Sequence, residues 1–231
     1  MPKFFVTSDI HSFYTALIEA LNAAGFDENN EDHYLVVCGD CFDRGPETQQ
    51  VFDYLQKLPR KILIRGNHEW LLEDCCKRGY AMSHDQHNGT IDTILDLGEG
   101  ETFAEKCKTT LAKVEPFLNT MVNYFETKNH IFVHGWVPSW AKDWRKASQE
   151  SWDDAVWSNP FEAIGYGLMP DKTIVFGHCS CSIGWADAEG RTAYGDDARF
   201  DPYYGDGFIA IDGLTYYSGQ KNVIVIEDEF I

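Results

Sequence analysis

The sequence predicts an α/β fold in which two mixed β-sheets pack as a sandwich with helices outside, a single domain over residues 1–231. Three observations carry that reading. Short apolar runs alternate with helical patterns as far as Arg65, a spacing that requires crossover connections and a largely parallel sheet. Late apolar runs follow one another without helices between them, which points to a second, mixed or antiparallel sheet. The runs also stop repeatedly at polar residues beside glycine, where a parallel sheet gathers its functional groups.

Lys3–Thr7 is the first strand and stops at Ser8-Asp9. A helix from Ser12 to Ala24 follows, with Phe13, Leu17, Ile18 and Leu21 on one face and Gly25 positioned to end it. Tyr34–Cys38 is a buried strand, Glu47–Leu58 a helix stopped by Pro59, and Lys61–Arg65 a third strand. Trp70 to Pro116 reads as mainly helical, with a loop over His84–Gly89. Val122–Glu126, Ile131–Val133 and Thr173–Phe176 are further strands, with a tryptophan-rich helix and loop segment from Trp136 to Trp157 between the last two. Phe208–Ile211 and Val223–Ile226, separated by Gly213 and Gly219, complete the second sheet.

Aspartate and glutamate outnumber lysine and arginine by 37 to 19, a net charge of −18. A surface of that sign excludes generic binding to nucleic acid or anionic membrane, which draws affinity from cationic side chains. An early Asp9 interrupts any signal-peptide apolar region, and no run approaches the roughly 20 apolar residues that span a bilayer. Seven cysteines, two of them adjacent, fit a reduced cytoplasmic protein rather than a disulfide framework.

The strand ends hold the chemistry. Asp9 and His11 follow the first strand, Asp40 the second, Asn67 the third, and His134 and His178 end later ones. Carboxylate, imidazole and amide donors suit a borderline divalent cation such as manganese, iron or zinc. A single such residue is as readily a satisfied polar group at a strand end. Six of them, all beside glycine except the Asp9-x-His11 pair, form a pattern that coincidence does not explain.

The runs Ser8-Asp9-Ile10-His11, Gly39-Asp40-Cys41-Phe42-Asp43-Arg44-Gly45 and Gly66-Asn67-His68-Glu69 resemble the signature of the PPP phosphoprotein phosphatases, within the calcineurin-like metallophosphoesterase superfamily. Val133-His134-Gly135, Phe176-Gly177-His178 and the closing Ile209–Gly213 match in order, and the compact length is closest to the phage and bacterial, lambda phosphatase-like branch. The resemblance implies two divalent metal ions, with manganese favoured and iron or zinc admissible. Asp9 and His11 would bind one, Asn67, His134 and His178 the other, and Asp40 would bridge them. A hydroxide held between cations about 3.5–4 Å apart would attack phosphorus. His68 would protonate the leaving alkoxide, kept charged by Asp43, and Arg44 would fork onto phosphate oxygens. Glu69 would act either behind these groups or as an acid favoured at a helix N-terminus.

The sequence departs from that pattern in places. Ser8 and Ser12 replace the glycines of the first motif, offering an extra hydrogen bond. A second phosphate-binding arginine is missing where Trp157-Ser158-Asn159 stands, leaving Asn159 or Lys172 as substitutes. Ser180 stands where diesterase branches carry a further histidine, which favours monoesters. His84 and His87 either touch substrate or lie in a solvated loop. Cys38, Cys41, Cys179 and Cys181 read as small buried residues near the site, with oxidation sensitivity if exposed. Tryptophans 136, 140, 144, 152 and 157 serve either base stacking or helix packing. The expected substrate is phosphoserine or phosphothreonine in a protein or peptide, or a small aryl phosphate; phosphotyrosine is also compatible. The alternatives are a dinucleoside tetraphosphate hydrolase on the same core and a catalytically idle binding protein.

Overall fold

A computed structural model describes residues 1–231. Its first half alternates as the sequence predicts: β1 (Lys3–Thr7), α1 (Tyr14–Ala24), β2 (His33–Cys38), α2 (Thr48–Lys57), β3 (Lys61–Ile64) and α3 (Asn67–Arg78). Three helices follow: α4 (Ser83–Asn88), α5 (Thr90–Leu97) and α6 (Phe103–Leu118). The second half holds β4 (Phe125–Glu126), β5 (His130–Phe132), α7 (Gln149–Ala155), α8 (Pro160–Gly165), β6 (Thr173–Ser180) and α9 (Cys181–Glu189). It ends with β7 (Tyr203–Gly205), β8 (Phe208–Asp212), α10 (Thr215–Ser218) and β9 (Ile224–Glu227).

Both sheets are mixed. The first has the order β3-β2-β1-β9, with the first three strands parallel and β9 antiparallel to β1. The second is β4-β5-β6-β8-β7, with a parallel centre and antiparallel edges. Phe4, Val6 and Val36 from the first sheet meet Phe132, Val175 and Ile211 from the second in a dry layer. The outer face of the first sheet packs on α1, α2, α3, α5 and α6 through Phe5, Leu35, Phe42, Phe52 and Phe117. Trp136, Trp152 and Phe176 fill the smaller core outside the second sheet. Burying one such aromatic ring makes its truncation to alanine cost about 3–5 kcal/mol. No helix is long and apolar enough to cross a membrane.

Four sequence expectations need correction. The late strands are not free of intervening helices, because α9 stands between β6 and β8 and α10 between β8 and β9. Val223–Ile226 belongs to the first sheet, because β9 returns to pair with β1. The expected strand Val122–Glu126 shortens to Phe125–Glu126, since the main chain of Val122 is already bonded to Leu63 and Arg65 as the segment crosses between sheets. His84–Gly89 is largely helix, not loop. Buried Asp85 accepts from the Met82 amide at 2.6 Å and from Arg78 through both oxygens at 2.9 and 3.0 Å, so a polar run is capped and anchored.

Asp228 ties the end of the chain to the second sheet. His130 lies 2.7 Å from its carboxylate, the Thr127 hydroxyl donates at 2.7 Å and the Asn129 amide at 3.0 Å. Burial works to raise its pKa, but hydrogen bonds from His130, Thr127 and the backbone outweigh that and hold it well below the usual carboxylate range. A depressed carboxylate contributes stability above its unfolded pKa, lost as pH falls through the folded value. Asp228→Asn is therefore expected to cost about 2 kcal/mol in urea unfolding at pH 7. The gap to wild type should narrow progressively below about pH 4.

Candidate active site

The site lies where β1, β2, β3, β5 and β6 end. Eight non-glycine residues have positive φ, and seven of them are Asp9, His11, Ser12, Asp40, Asp43, Arg44 and His178. Such conformations cost about 1–3 kcal/mol each and persist where surroundings over-determine them. Here the first two turns are zipped together: Asp9, His11 and Ser12 donate their amides to the carbonyls of Gly39, Asp40 and Cys41, each at 3.0 Å.

All six expected ligand residues converge. His11 Nδ1 donates to the Phe42 carbonyl and His134 Nδ1 to that of Cys38, both at 2.9 Å, leaving the two Nε2 lone pairs facing the cleft. Asn67 Oδ1 lies 2.8 Å from His134 Nε2 and 3.0 Å from His178 Nδ1. Asp40 Oδ1 is 3.4 Å from His134 Nε2, whereas Oδ2 is 3.7 Å from His11 Nε2. Asp9 Oδ1 is 3.8 Å from His11 Nε2. Two groups of donor atoms result, His11–Asp40–His68 and Asp40–His134–His178, and Asp40 is common to both. Acceptor atoms crowded this closely repel one another unless they share a cation, so the donor set fits divalent metal. Burial, reinforced by His68 and Arg44, pushes His11 well below its usual pKa, and burial with His134 pushes His178 down to about 3. Both rings are thus neutral, as ligation requires.

Glu69 joins two motifs, and one of its oxygens also caps α3. Oε2 accepts from the amides of Gly66 at 2.8 Å and Asp40 at 3.0 Å, and Oε1 from that of Cys41 at 2.7 Å. The two roles offered by the sequence are therefore one. His68 Nδ1 lies 2.7 Å from Asp43 Oδ2. Burial disfavours the charged His68 ring, but Asp40 together with the hydrogen bond and charge of Asp43 outweighs burial and raises its pKa. Arg44 reaches His11 Nε2 at 2.7 Å and His68 Nε2 at 3.1 Å.

Several partners were not singled out in the sequence. Thr90 and Thr93 hydroxyls donate to the two oxygens of Asp43 at 2.8 and 2.7 Å. Tyr216 lies over the Arg44 guanidinium at 4.8 Å, and the ammonium of Lys221 sits beneath the Asp9 turn. Asp212 ends β8 as the other site residues end their strands, and burial with Asp9 raises its pKa to about 7. Its position in Ile209–Gly213 was the available signal. Thr90 opens α5 at the end of the polar run Ser83–Thr90, which was a signal of its own, whereas Tyr216 in α10 and Lys221 in the connection to β9 carried none.

Other expectations fall elsewhere. Lys172 is committed to Glu126 at 2.8 Å and the Thr127 carbonyl at 2.6 Å, a pairing its place before β6 enforces. The Asn159 side chain caps α8 through the amides of Phe161 and Glu162. His84 pairs with Asp85 and His87 with the Ser83 carbonyl, both within exposed α4. The Ser8 hydroxyl is buried without a hydrogen-bond partner, so it supplies no extra bond, whereas that of Ser12 accepts from Thr48. Cys38, Cys41 and Cys181 are fully buried and partly exposed Cys179 is pushed up to about 12 by burial, so none presents a ready thiolate.

A family model described as calcineurin-like phosphoesterase matches residues 2–198. The chain is similar to symmetrical bis(5'-nucleosyl)-tetraphosphatases of Coxiella burnetii, 24% identical over 138 residues. That region is 59% of this chain and 43% of theirs, under half the length of those curated relatives. Among solved structures, the fold resembles a cold-active protein-tyrosine phosphatase of a psychrophilic Shewanella species, with a TM-score of 0.61 and 16% identity over 98% of this chain and 76% of that one. It also resembles a putative diadenosine tetraphosphatase, at 0.59 and 17% over 98% and 95%.

The buried Glu69 carboxylate gives a sharp test. A glutamine there turns one acceptor into a donor facing a main-chain N–H. Glu69→Gln should lower stability by about 2–4 kcal/mol in denaturant titration. A cost under about 0.5 kcal/mol would show that the tie is not needed.

Proposed function

The chain belongs to the calcineurin-like phosphoesterase family, and from that premise we propose that it is a dinuclear metal-dependent phosphomonoesterase acting on phosphoserine, phosphothreonine and small aryl phosphates. The observation that supports this most is Asp40, whose two oxygens face His11 on one side and His134 on the other, next to the His68–Asp43 pair. In this reading Asp9, His11 and Asp40 would hold one cation, and Asp40, Asn67, His134 and His178 would hold the other. Manganese is the first choice, with iron and zinc admitted by the same donors. When bound, the cations activate water and neutralise charge on the phosphoryl group. Arg44, whose terminal nitrogens lie against His11 Nε2 and His68 Nε2, would exchange these contacts for two hydrogen bonds forked onto phosphate oxygens. His68 passes its Nε2 proton to the departing alkoxide while Asp43 holds the ring in position and charged. The Ser180 hydroxyl is spent on Ser182 at the start of α9, so no further imidazole reaches the cleft from that position, which favours monoesters over diesters.

Hydrolysis of dinucleoside tetraphosphates is the second reading. The names of the Coxiella relatives favour it. So do Trp70 and Trp157, partly exposed and edge to face at 6.1 Å, with a groove of about 740 Å³ alongside Trp70 lined by Arg65, Lys77 and Tyr124. An idle binding protein is the weakest reading, since none of the six ligand residues nor His68 is replaced.

Chelator-stripped, manganese-loaded protein should be assayed on phosphothreonine and phosphotyrosine peptides, diadenosine tetraphosphate and a bis-aryl phosphodiester. Peptide turnover should fall about 10²–10⁴-fold in His68→Asn. Faster turnover of the dinucleotide would move the assignment to the second reading, and metal binding without any turnover would reject catalysis on these classes. The pH profile offers another check. Activity that needs protonated His68 declines as pH rises through its raised pKa. Asp40 and Asp43 both raise it, and Asp43→Asn removes the second of these charges, so the alkaline limb of kcat/KM should move to lower pH.

A further inference from the structure

Lys221 stands in the connection between β8 and β9, with most of its side chain out of solvent. Its ammonium donates to the Ser8 carbonyl at 2.9 Å and also to the Asp9 carbonyl. Those carbonyls mark the point where the chain leaves β1 for the strained turn, with φ of 50° at Asp9, 47° at His11 and 59° at Ser12. The backbone on either side of Lys221 is fixed. The Gln220 carbonyl accepts from the Thr215 hydroxyl at 2.9 Å and the Asn222 carbonyl from that of Thr7 at 2.7 Å. The Asn222 side chain is bonded to the Phe200 and Ile211 carbonyls. The ammonium is thus delivered to the turn by a held stem, and its charge lies close to Asp9 and Asp212.

We propose that Lys221 is a positioning residue for the cation subsite of Asp9 and His11, pinning the Ser8 and Asp9 carbonyls so that both side chains aim at Asp40. The proposal rests on the dinuclear reading above. Groups that orient metal ligands from behind typically change metal affinity by about 10–100-fold when removed. A lysine suits the task because one compact ammonium can donate to two carbonyls at once.

The test is manganese binding by the full chain, followed by titration calorimetry and electron paramagnetic resonance. Wild type should take two ions and show the spectrum of a coupled pair. In Lys221→Met one ion should bind at least about tenfold more weakly, with an isolated-manganese spectrum at one equivalent. Asp9→Asn should lose the same ion. Lys221→Arg should recover the second ion to within about threefold of wild type, a rescue that mere filling of space would not produce. Should Lys221→Met fail to fold by circular dichroism, Lys221→Leu, which likewise has no donor, carries the same comparison. Two ions bound with wild-type affinity and coupling in the uncharged variant would overturn the proposal and leave the dinuclear reading intact. Wild type that binds fewer than two ions would overturn the dinuclear reading itself, and this proposal with it.

Discussion

The Glu69 carboxylate is the constraint on which the site depends. It accepts three main-chain N–H groups, one from its own motif and two from the end of β2, and so locks two strand ends together. The lock is reciprocal, because Asp40 Oδ1 accepts the His68 amide at 3.0 Å. Strand ends held this closely leave no room for a side chain at Gly66, where a Cβ would stand 2.2 Å from Asp40 Oδ1. The motif glycine is therefore a matter of volume. Its effect is to bring the β3 turn against Asp40, so that one carboxylate can serve both donor groups.

Strain and charge in the cleft are both offset by contacts from outside it. Positive φ at Asp9, His11, Ser12 and Asp40 is held by the amide zipper between the first two turns and by Lys221 beneath them. Asp43 is fully buried, and its oxygens are taken up by His68, Thr90 and Thr93, so a carboxylate without solvent keeps its hydrogen bonds. The segment α4–α5 matters to the site mainly through those two hydroxyls and through Gly89, which lies against the backbone of Arg44. Polar groups in a low-dielectric setting are costly when orphaned and strong when paired, and here nearly all are paired.

Much of this was legible in the sequence because it follows from local rules. Alternating strands and helices gave the parallel part of the first sheet, and polar strand ends, four of the six beside glycine, gave the residues that converge. What was not legible depends on long-range pairing. The return of β9 to β1 cannot be read from the alternating Val223–Ile226 run, which would suit either sheet. The helicity of His84–Gly89 depends on a buried ion pair between Arg78 and Asp85. Lys172 and Asn159 were candidates because of their positions along the chain. Both are used locally, one against Glu126 and one as a helix cap, and sequence order carries no information about such competition.

The pairing of β9 with β1 also sets an order of events in time. Thr7 and Asn222 are bonded across 215 residues, and Lys221 reaches Ser8 from the same late segment. Contacts of such separation are made slowly, because a long loop must close before they yield anything. During synthesis, the residues of β1, β2 and β3 leave the ribosome long before the segment that completes their sheet. A growing chain can gather its early strands and their acidic turns, but the ammonium under Asp9 lies 212 residues further along. Until that segment arrives the turn carries its carboxylates without that counter-charge, so closing the sheet with β9 also finishes the electrostatics of the cleft.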